Sequence, residues 1–211
     1  MTLVVDLDGT LIDSTQRHHV LMKKLLEEKG LHQDFEAKEF MDFKAEGNPG
    51  IAYLTKVLGI QEVTAKELLA SWAKAIETKD YVSLDVLYED AVSFLEMCKS
   101  DGHEVIFLSA RQDEALLVNE LKTLGIYDYA REVIVADPAD AFVQKQEAVR
   151  RLLEEGVDRN EILMVGDTEN EWKTAQALAV KSFLLNRGFR NKNFWDRMGV
   201  ESCSGLDGVF N

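Results

Sequence analysis

The stretch Leu3-Val4-Val5-Asp6-Leu7-Asp8-Gly9-Thr10-Leu11-Ile12-Asp13-Ser14 decides how the rest of the chain is read. An apolar run ends at a carboxylate, and a second carboxylate follows two residues later. Gly9 then lets the backbone turn, and Thr10 offers a hydroxyl. Residues i and i+2 of a strand point the same way, so Asp6 and Asp8 face one site if the strand persists that far. Two acids aimed together are costly to hold ionised. A hard cation such as Mg²⁺ would relieve that cost. A carboxylate is also a competent nucleophile toward phosphorus. The plainer alternative is an acidic turn that caps a buried strand.

Downstream, apolar strands alternate with amphipathic helices. Strands are predicted at Glu104–Leu108, Glu132–Ala136, Glu161–Val165 and Val180–Leu185. Helices are predicted at Leu87–Ser100, Glu114–Leu124, Phe142–Glu155 and Glu171–Leu178, with a short one near Asn193–Met198. This alternation predicts an α/β fold, a Rossmann-like parallel sheet with helices on both faces. Ligands of such sheets bind beyond the carboxyl ends of the strands. Between the first strand and this region no strand-like alternation occurs. Helices are predicted there at Gln16–Lys29, Asp34–Glu46, Gly50–Leu58 and Glu62–Thr78, an all-helical insert. The expected division is a core of residues 1–14 and 86–211 and a helical domain of residues 15–85.

Polar residues gather where the strands end. Ser109, with Ala110 beside it, follows the second apolar strand and precedes a helix, a place where a hydroxyl and backbone N–H groups suit a phosphate oxygen. An ordinary strand-to-helix cap would look the same. Lys145 sits near the start of the helix before the fourth strand; taken alone it reads as a solvated surface charge. Gly166-Asp167 ends the fourth strand, and Glu171 follows one helical turn later, on the same face as Asp167. Glu169 should point elsewhere.

Asp-Leu-Asp-Gly-Thr-Leu, Ser109, Lys145 and Gly166-Asp167 with Glu171 together resemble the four motifs of the haloacid dehalogenase-like (HAD) hydrolase superfamily, in the right order and each at a strand end. Lys145 lacks the proline that commonly follows this lysine, and Glu171 stands where an Asp is often found. The resemblance implies that Asp6 is the nucleophile forming an aspartyl-phosphate and that Asp8 is the general acid and base. It implies Mg²⁺ held by Asp6, the Asp8 carbonyl and Asp167, with Glu171 nearby. Ser109, Ala110 and Lys145 would bind phosphoryl oxygens, with Thr10 supporting them. An acid at position 8 favours phosphate esters over the dehalogenases, which lack it. The helical insert would be a cap over the substrate. Within it, Gly47-Asn48-Pro49-Gly50 resembles a specificity loop of sugar-phosphate members, although a plain interhelical turn fits too. His18 occupies a spot comparable to a His of some mutases, or merely packs at a hinge. Arg187 is open between substrate contact and surface ion pair.

The expected activity is that of a phosphatase for a small phosphorylated metabolite. The alternatives are a phosphoglucomutase-like isomerase and a catalytically idle binding module. A formal charge of −14 over 211 residues argues against nucleic acid or an anionic membrane as partner. A phosphorylated substrate must then be drawn in by a local cluster of positive charge. Two cysteines, Cys98 and Cys203, make no disulfide framework, and neither a signal peptide nor a membrane-spanning run is seen. A cytoplasmic monomer is the expectation.

Overall fold

The structure is a computed structural model that describes residues 1–210. Its elements run β1 (Thr2–Val5), β2 (Ile12–Asp13), α1 (Thr15–Glu28), α2 (Ala37–Ala45), α3 (Gly50–Ala52), α4 (Glu62–Ala75), α5 (Lys79–Val82) and β3 (Val86–Leu87). They continue with α6 (Ala91–Ser100), β4 (Glu104–Ser109), α7 (Glu114–Thr123), β5 (Glu132–Val135), α8 (Ala141–Glu154), β6 (Ile162–Gly166), α9 (Glu169–Leu178), β7 (Lys181–Leu184) and α10 (Lys192–Met198).

The apolar strands assemble into one parallel sheet, in the order β5-β4-β1-β6-β7. β1 lies in the middle and all four of its residues are buried. Its side chains alternate between two cores, as the two-residue period of a strand requires. Leu3 and Val5 join Phe107, Val165 and the α6 and α7 residues Phe94, Leu95, Leu117 and Leu121. Val4 joins Ile106, Met164 and the α8 and α9 residues Val149, Leu152 and Ala175. The sheet is therefore covered on both faces.

The chain steps outward from β1 to β4 and β5, then returns to lay β6 on the other flank of β1. That reversal makes the crevice between β1 and β6 the natural ligand site of a doubly wound sheet. The registers place Val5 beside both Phe107 and Val165. Asp6, Ser109 and Asp167 consequently emerge at the same end of three adjacent strands.

Helices α1 to α5 occupy the segment between β2 and β3 and bury an apolar cluster of their own, with Met22, Leu26, Phe40, Tyr53, Leu54 and Leu68 at its centre. Phe189, from the loop after β7, packs against this cluster.

Several elements differ from the sequence expectation. Leu87 does not begin a helix; Val86 and Leu87 pair antiparallel with Asp13 and Ile12, tying the two ends of the insert together. Two-residue strands carry no readable period, and their partners lie far apart in sequence. The segment expected as one helix over Gly50–Leu58 is a short α3 that widens into a π-helical turn at Tyr53–Val57. The short α5 was not anticipated.

Trp195 on α10 is fully buried, and its Nε1 donates to the Leu185 carbonyl at 3.0 Å. Truncating a buried Trp removes its apolar contacts and leaves a cavity. Trp195→Ala should destabilise the fold by about 3–5 kcal/mol, read as a shifted midpoint in urea unfolding.

Candidate active site

β1 ends at Val5, but the Asp6 N–H still bonds the Val165 carbonyl at 2.9 Å, so Asp6 extends the strand's line. The chain then folds tightly: the Leu7 carbonyl accepts from the N–H groups of Thr10, Leu11 and Ile12, and Gly9 takes φ +81°. A Cβ on Gly9 would lie 2.2 Å from an Asp167 oxygen, so the glycine is required by both its conformation and that approach.

Asp6, Asp167 and Glu171 are buried, and their carboxylate oxygens come within 4.8 Å of one another. Lys145 reaches this group from α8. Its Nζ donates to Asp6 Oδ1 at 2.8 Å and also to Glu171 Oε1. Glu171 sits in the first turn of α9, where its Oε2 accepts from Thr168 N at 3.0 Å and Thr168 Oγ1 at 2.6 Å in a capping box. Asp167 accepts from the Thr10 hydroxyl at 3.5 Å and from the Phe189 N–H.

Three buried carboxylates meet one buried ammonium. Burial pushes Asp6 up to about 7 against the pull of Lys145, with Glu171 adding to the rise. Asp167 is raised well above the usual carboxylate range by burial, then by Asp6 and Glu171. Lys145 is raised in turn: its two acids outweigh the burial that opposes its charge. Such a cluster lacks positive charge, and its donors are all hard oxygens. The residues present fit a divalent cation of the Mg²⁺ kind.

Asp8 stands apart from these three. Its carboxylate accepts from Arg111 Nε at 2.6 Å and Nη2 at 2.8 Å, and from Arg17 Nη2 at 2.6 Å. Arg111 also bonds Glu120 at 2.9 Å, and both arginines lie within 3.4 Å of Asp85. Burial raises Asp8, but Arg111 and Arg17 outweigh it and hold the carboxyl well below the usual range.

A cavity of about 280 Å³ opens over these groups. Asp6, Asp8, Ser109, Ala110 and Lys145 line it from the sheet side, and Arg17, His18, Trp72 and Ile76 from the insert.

A family model for haloacid dehalogenase-like hydrolases matches residues 1–178. The chain belongs to the haloacid dehalogenase-like hydrolase family. A protein from Cereibacter sphaeroides named phosphoglycolate phosphatase is 26% identical over 196 residues, covering 90% of this chain and 86% of that protein. Another of that name from Neisseria gonorrhoeae is 25% identical over 191 residues, covering 87% and 79%. A solved structure from Clostridium difficile superposes with a TM-score of 0.78 at 17% identity, over 99% of this chain and 96% of the other. That likeness speaks for the fold.

Of the residues singled out in the sequence, the structure brings Asp6, Asp8, Ser109, Ala110, Lys145 and His18 to the cavity. Asp167 and Glu171 stand directly behind Asp6. Three placements bear on the expectation. The Thr10 hydroxyl turns onto Asp167 instead of into the cavity, because the turn after Asp8 buries it completely. Gly47, at φ +88°, faces the Phe194 ring of α10, and Asn48 is exposed and bonds the Phe43 carbonyl. Neither Gly47 nor Asn48 lines the cavity, so this segment is a turn seated on the core. Arg187 is resolved as an ion pair: it bonds Asp90 and the Thr10 carbonyl, both at 2.7 Å, and stacks over Tyr88. Glu169 pairs with Arg190, away from Asp167.

Sequence reasoning gave no role to Arg17, Arg111, Trp72 or Phe189. Arg111 carried a usable signal, since a strand end that continues Ser109-Ala110-Arg111 aims a cation where acids converge. Arg17 carried none beyond its place in a polar helix start.

Two predictions arise here. A carboxyl raised in the folded state stabilises the ion-free protein fully below its unfolded value of 3.8; that contribution is lost as pH rises through about 7. Mg²⁺ should therefore raise the melting temperature more at pH 8 than at pH 5, by the equivalent of about 2–3 kcal/mol at a hundredfold excess over Kd. Differential scanning fluorimetry at the two pH values checks this. Arg111→Met should destabilise by about 3–5 kcal/mol, because Asp8, Glu120 and Asp85 lose a shared buried cation; denaturant unfolding measures it.

Proposed function

We propose that the chain is a Mg²⁺-dependent phosphatase that hydrolyses a small phosphorylated metabolite through an aspartyl-phosphate on Asp6. The observation that carries this reading is the Asp6 carboxylate at the floor of the cavity, with Lys145 bonded to it and Ser109 and Asp8 beside it. The family membership and the names of the curated relatives support it.

In the first step an Asp6 oxygen attacks phosphorus in line with the departing alkoxide. The P–O bond to the alcohol breaks, and Asp8 supplies the proton that the alkoxide takes. In the second step Asp8 takes a proton from water, the hydroxide attacks phosphorus, and the Asp6 carboxylate and inorganic phosphate are released. Ser109 and Lys145 hold the equatorial oxygens and offset their charge. Asp6, Asp167 and Glu171 would hold a Mg²⁺ ion, which would supply the remaining positive charge.

The arginine contacts keep Asp8 ionised, as the base of the second step requires. Proton donation in the first step requires those contacts to loosen. Arg17 belongs to the insert, so withdrawal of the insert would remove one of them. The insert thus serves as a cap that closes the cavity, excludes water and biases the protonation of Asp8.

The test is release of inorganic phosphate from an aryl phosphate and a panel of phosphorylated metabolites, with Mg²⁺ and with chelator. Turnover should need Mg²⁺, and Asp6→Asn should lower kcat by about a thousandfold or more with an unchanged circular dichroism spectrum. Movement of the phosphoryl group within a sugar phosphate without phosphate release would identify a mutase. No reaction with any ester in the folded protein would sink both.

A further inference from the structure

The side of the cavity that the insert supplies is largely apolar. At the end of α4, Trp72 and Ile76 stand one helical turn apart on a shared face, with the Ile76 N–H on the Trp72 carbonyl at 2.9 Å. Both line the cavity, as does Ala73. The His18 ring lies 5.3 Å from the Trp72 ring and 5.3 Å from the Phe189 ring, and all three line the cavity together. Burial, then Lys44 and Arg17, hold His18 well below its usual value, so its ring is neutral. Pro138, between β5 and α8, adds an apolar surface from the core.

The cations of this lining already have carboxylate partners. Lys145 bonds Asp6 and Glu171, Arg111 bonds Asp8 and Glu120, and Arg17 bonds Asp8. Lys44 contacts His18 Nδ1 at 3.4 Å and does not line the cavity. Glu77, which does line it, brings a carboxylate that accepts from the Gln112 N–H at 2.7 Å. A second anion entering beside the phosphoryl group would meet rings and a like charge, and burying an unpaired charge is costly. An uncharged apolar group meets no such cost and gains contact area. There is room for one. The cavity measures about 280 Å³. A phosphoryl group displaces roughly three waters of ~30 Å³ each, and an apolar cavity of about 150 Å³ is enough for a benzene ring.

We infer that the leaving group of the phosphoester is an uncharged alcohol bearing a planar apolar ring, which packs on Trp72, Ile76 and Phe189 while phosphorus sits at Asp6. The inference rests on the phosphatase reading and names the substrate class of that same site. Trp72 and Ile76 determine specificity through ring contact and apolar area. They touch no reacting atom.

The experiment compares 2-phenylethyl phosphate, ethyl phosphate and 2-phosphoglycolate. The first two release primary alcohols of similar acidity, so their ratio reads the pocket and not the ease of P–O cleavage. With Mg²⁺ present, wild-type kcat/KM should favour 2-phenylethyl phosphate over ethyl phosphate by about 10- to 100-fold, the span of discrimination in an apolar pocket. 2-Phosphoglycolate should fall below the ring ester. Trp72→Ala should cut the ring preference by about tenfold, chiefly through KM for the ring ester. Trp72 also packs in the insert, so a second variant is needed. Ala73 is exposed, and Ala73→Asp should lower the same ratio by setting a carboxylate against the ring. Equal wild-type kcat/KM for the ring ester and ethyl phosphate would overturn the inference and leave the phosphatase reading standing. A higher kcat/KM for 2-phosphoglycolate than for the ring ester, or a ring preference undiminished in both variants, would do the same. Absence of turnover on every ester would overturn the phosphatase reading and this inference with it.

Discussion

Three buried carboxylates sharing one ammonium is the constraint on which the rest of this structure depends. Asp6, Asp167 and Glu171 would repel one another strongly if nothing answered their charge, and Lys145 answers only part of it. The fold brings them together by means that have little to do with charge. The β1–β6 register sets Asp6 and Asp167 at one level, and the capping box of α9 turns Glu171 back toward them. Gly9, Gly166 and Gly188 make the approach possible. A Cβ on Gly166 would sit 2.2 Å from Glu171 Cγ, and one on Gly188 would sit 2.1 Å from Asp167 and 2.4 Å from the Gly9 Cα. Apolar burial in the sheet supplies the free energy that holds an electrostatically unfavourable group in place.

A second charged cluster lies a few residues away and is balanced differently. Asp8, Asp85 and Glu120 surround Arg17 and Arg111, three potential negative charges against two positive. Burial pushes Asp85 up to about 8, so near neutral pH it carries a proton and the count closes. The charges of this network balance without a ligand, whereas those of the Asp6 cluster do not. The contrast separates a structural network from a site that calls for a cation, even though both are acidic, buried and adjacent.

The sequence made the sheet and the strand-end chemistry legible because both rest on local signals. Apolar runs closed by Asp6, Ser109 and Asp167 need no knowledge of partners. What it hid depends on pairings across the chain. β2 and β3 are two residues each and exist only through one another. Arg17 and Arg111 are common surface residues by type, and they become buried only because Asp8, Asp85 and Glu120 converge from distant segments. Gly47 and Asn48 could be read as a specificity loop or as a plain interhelical turn, because glycine and asparagine mark turns of every purpose. The structure seats that turn on Phe194, and the cavity wall falls instead to the helix faces bearing His18 and Trp72.

The insert touches the chemistry at two points, and the two have different physical character. Arg17 reaches Asp8 through a charged contact, which the protonation state of Asp8 alters. Phe189 reaches Asp167 through a backbone N–H, while its ring packs in the apolar cluster of the insert. Glu46 adds a clasp at the outer edge, bonded to Asn191, Asn193 and Arg197. Arg17 of α1 and Phe189 of the loop after β7 thus reach both aspartates that flank Asp6. A protein of net negative charge repels an anionic ligand at long range, but salt screens that field beyond about 10 Å. Inside a cavity of low dielectric, the groups within a few ångströms of a ligand set the local sign, and that local sign orients what enters.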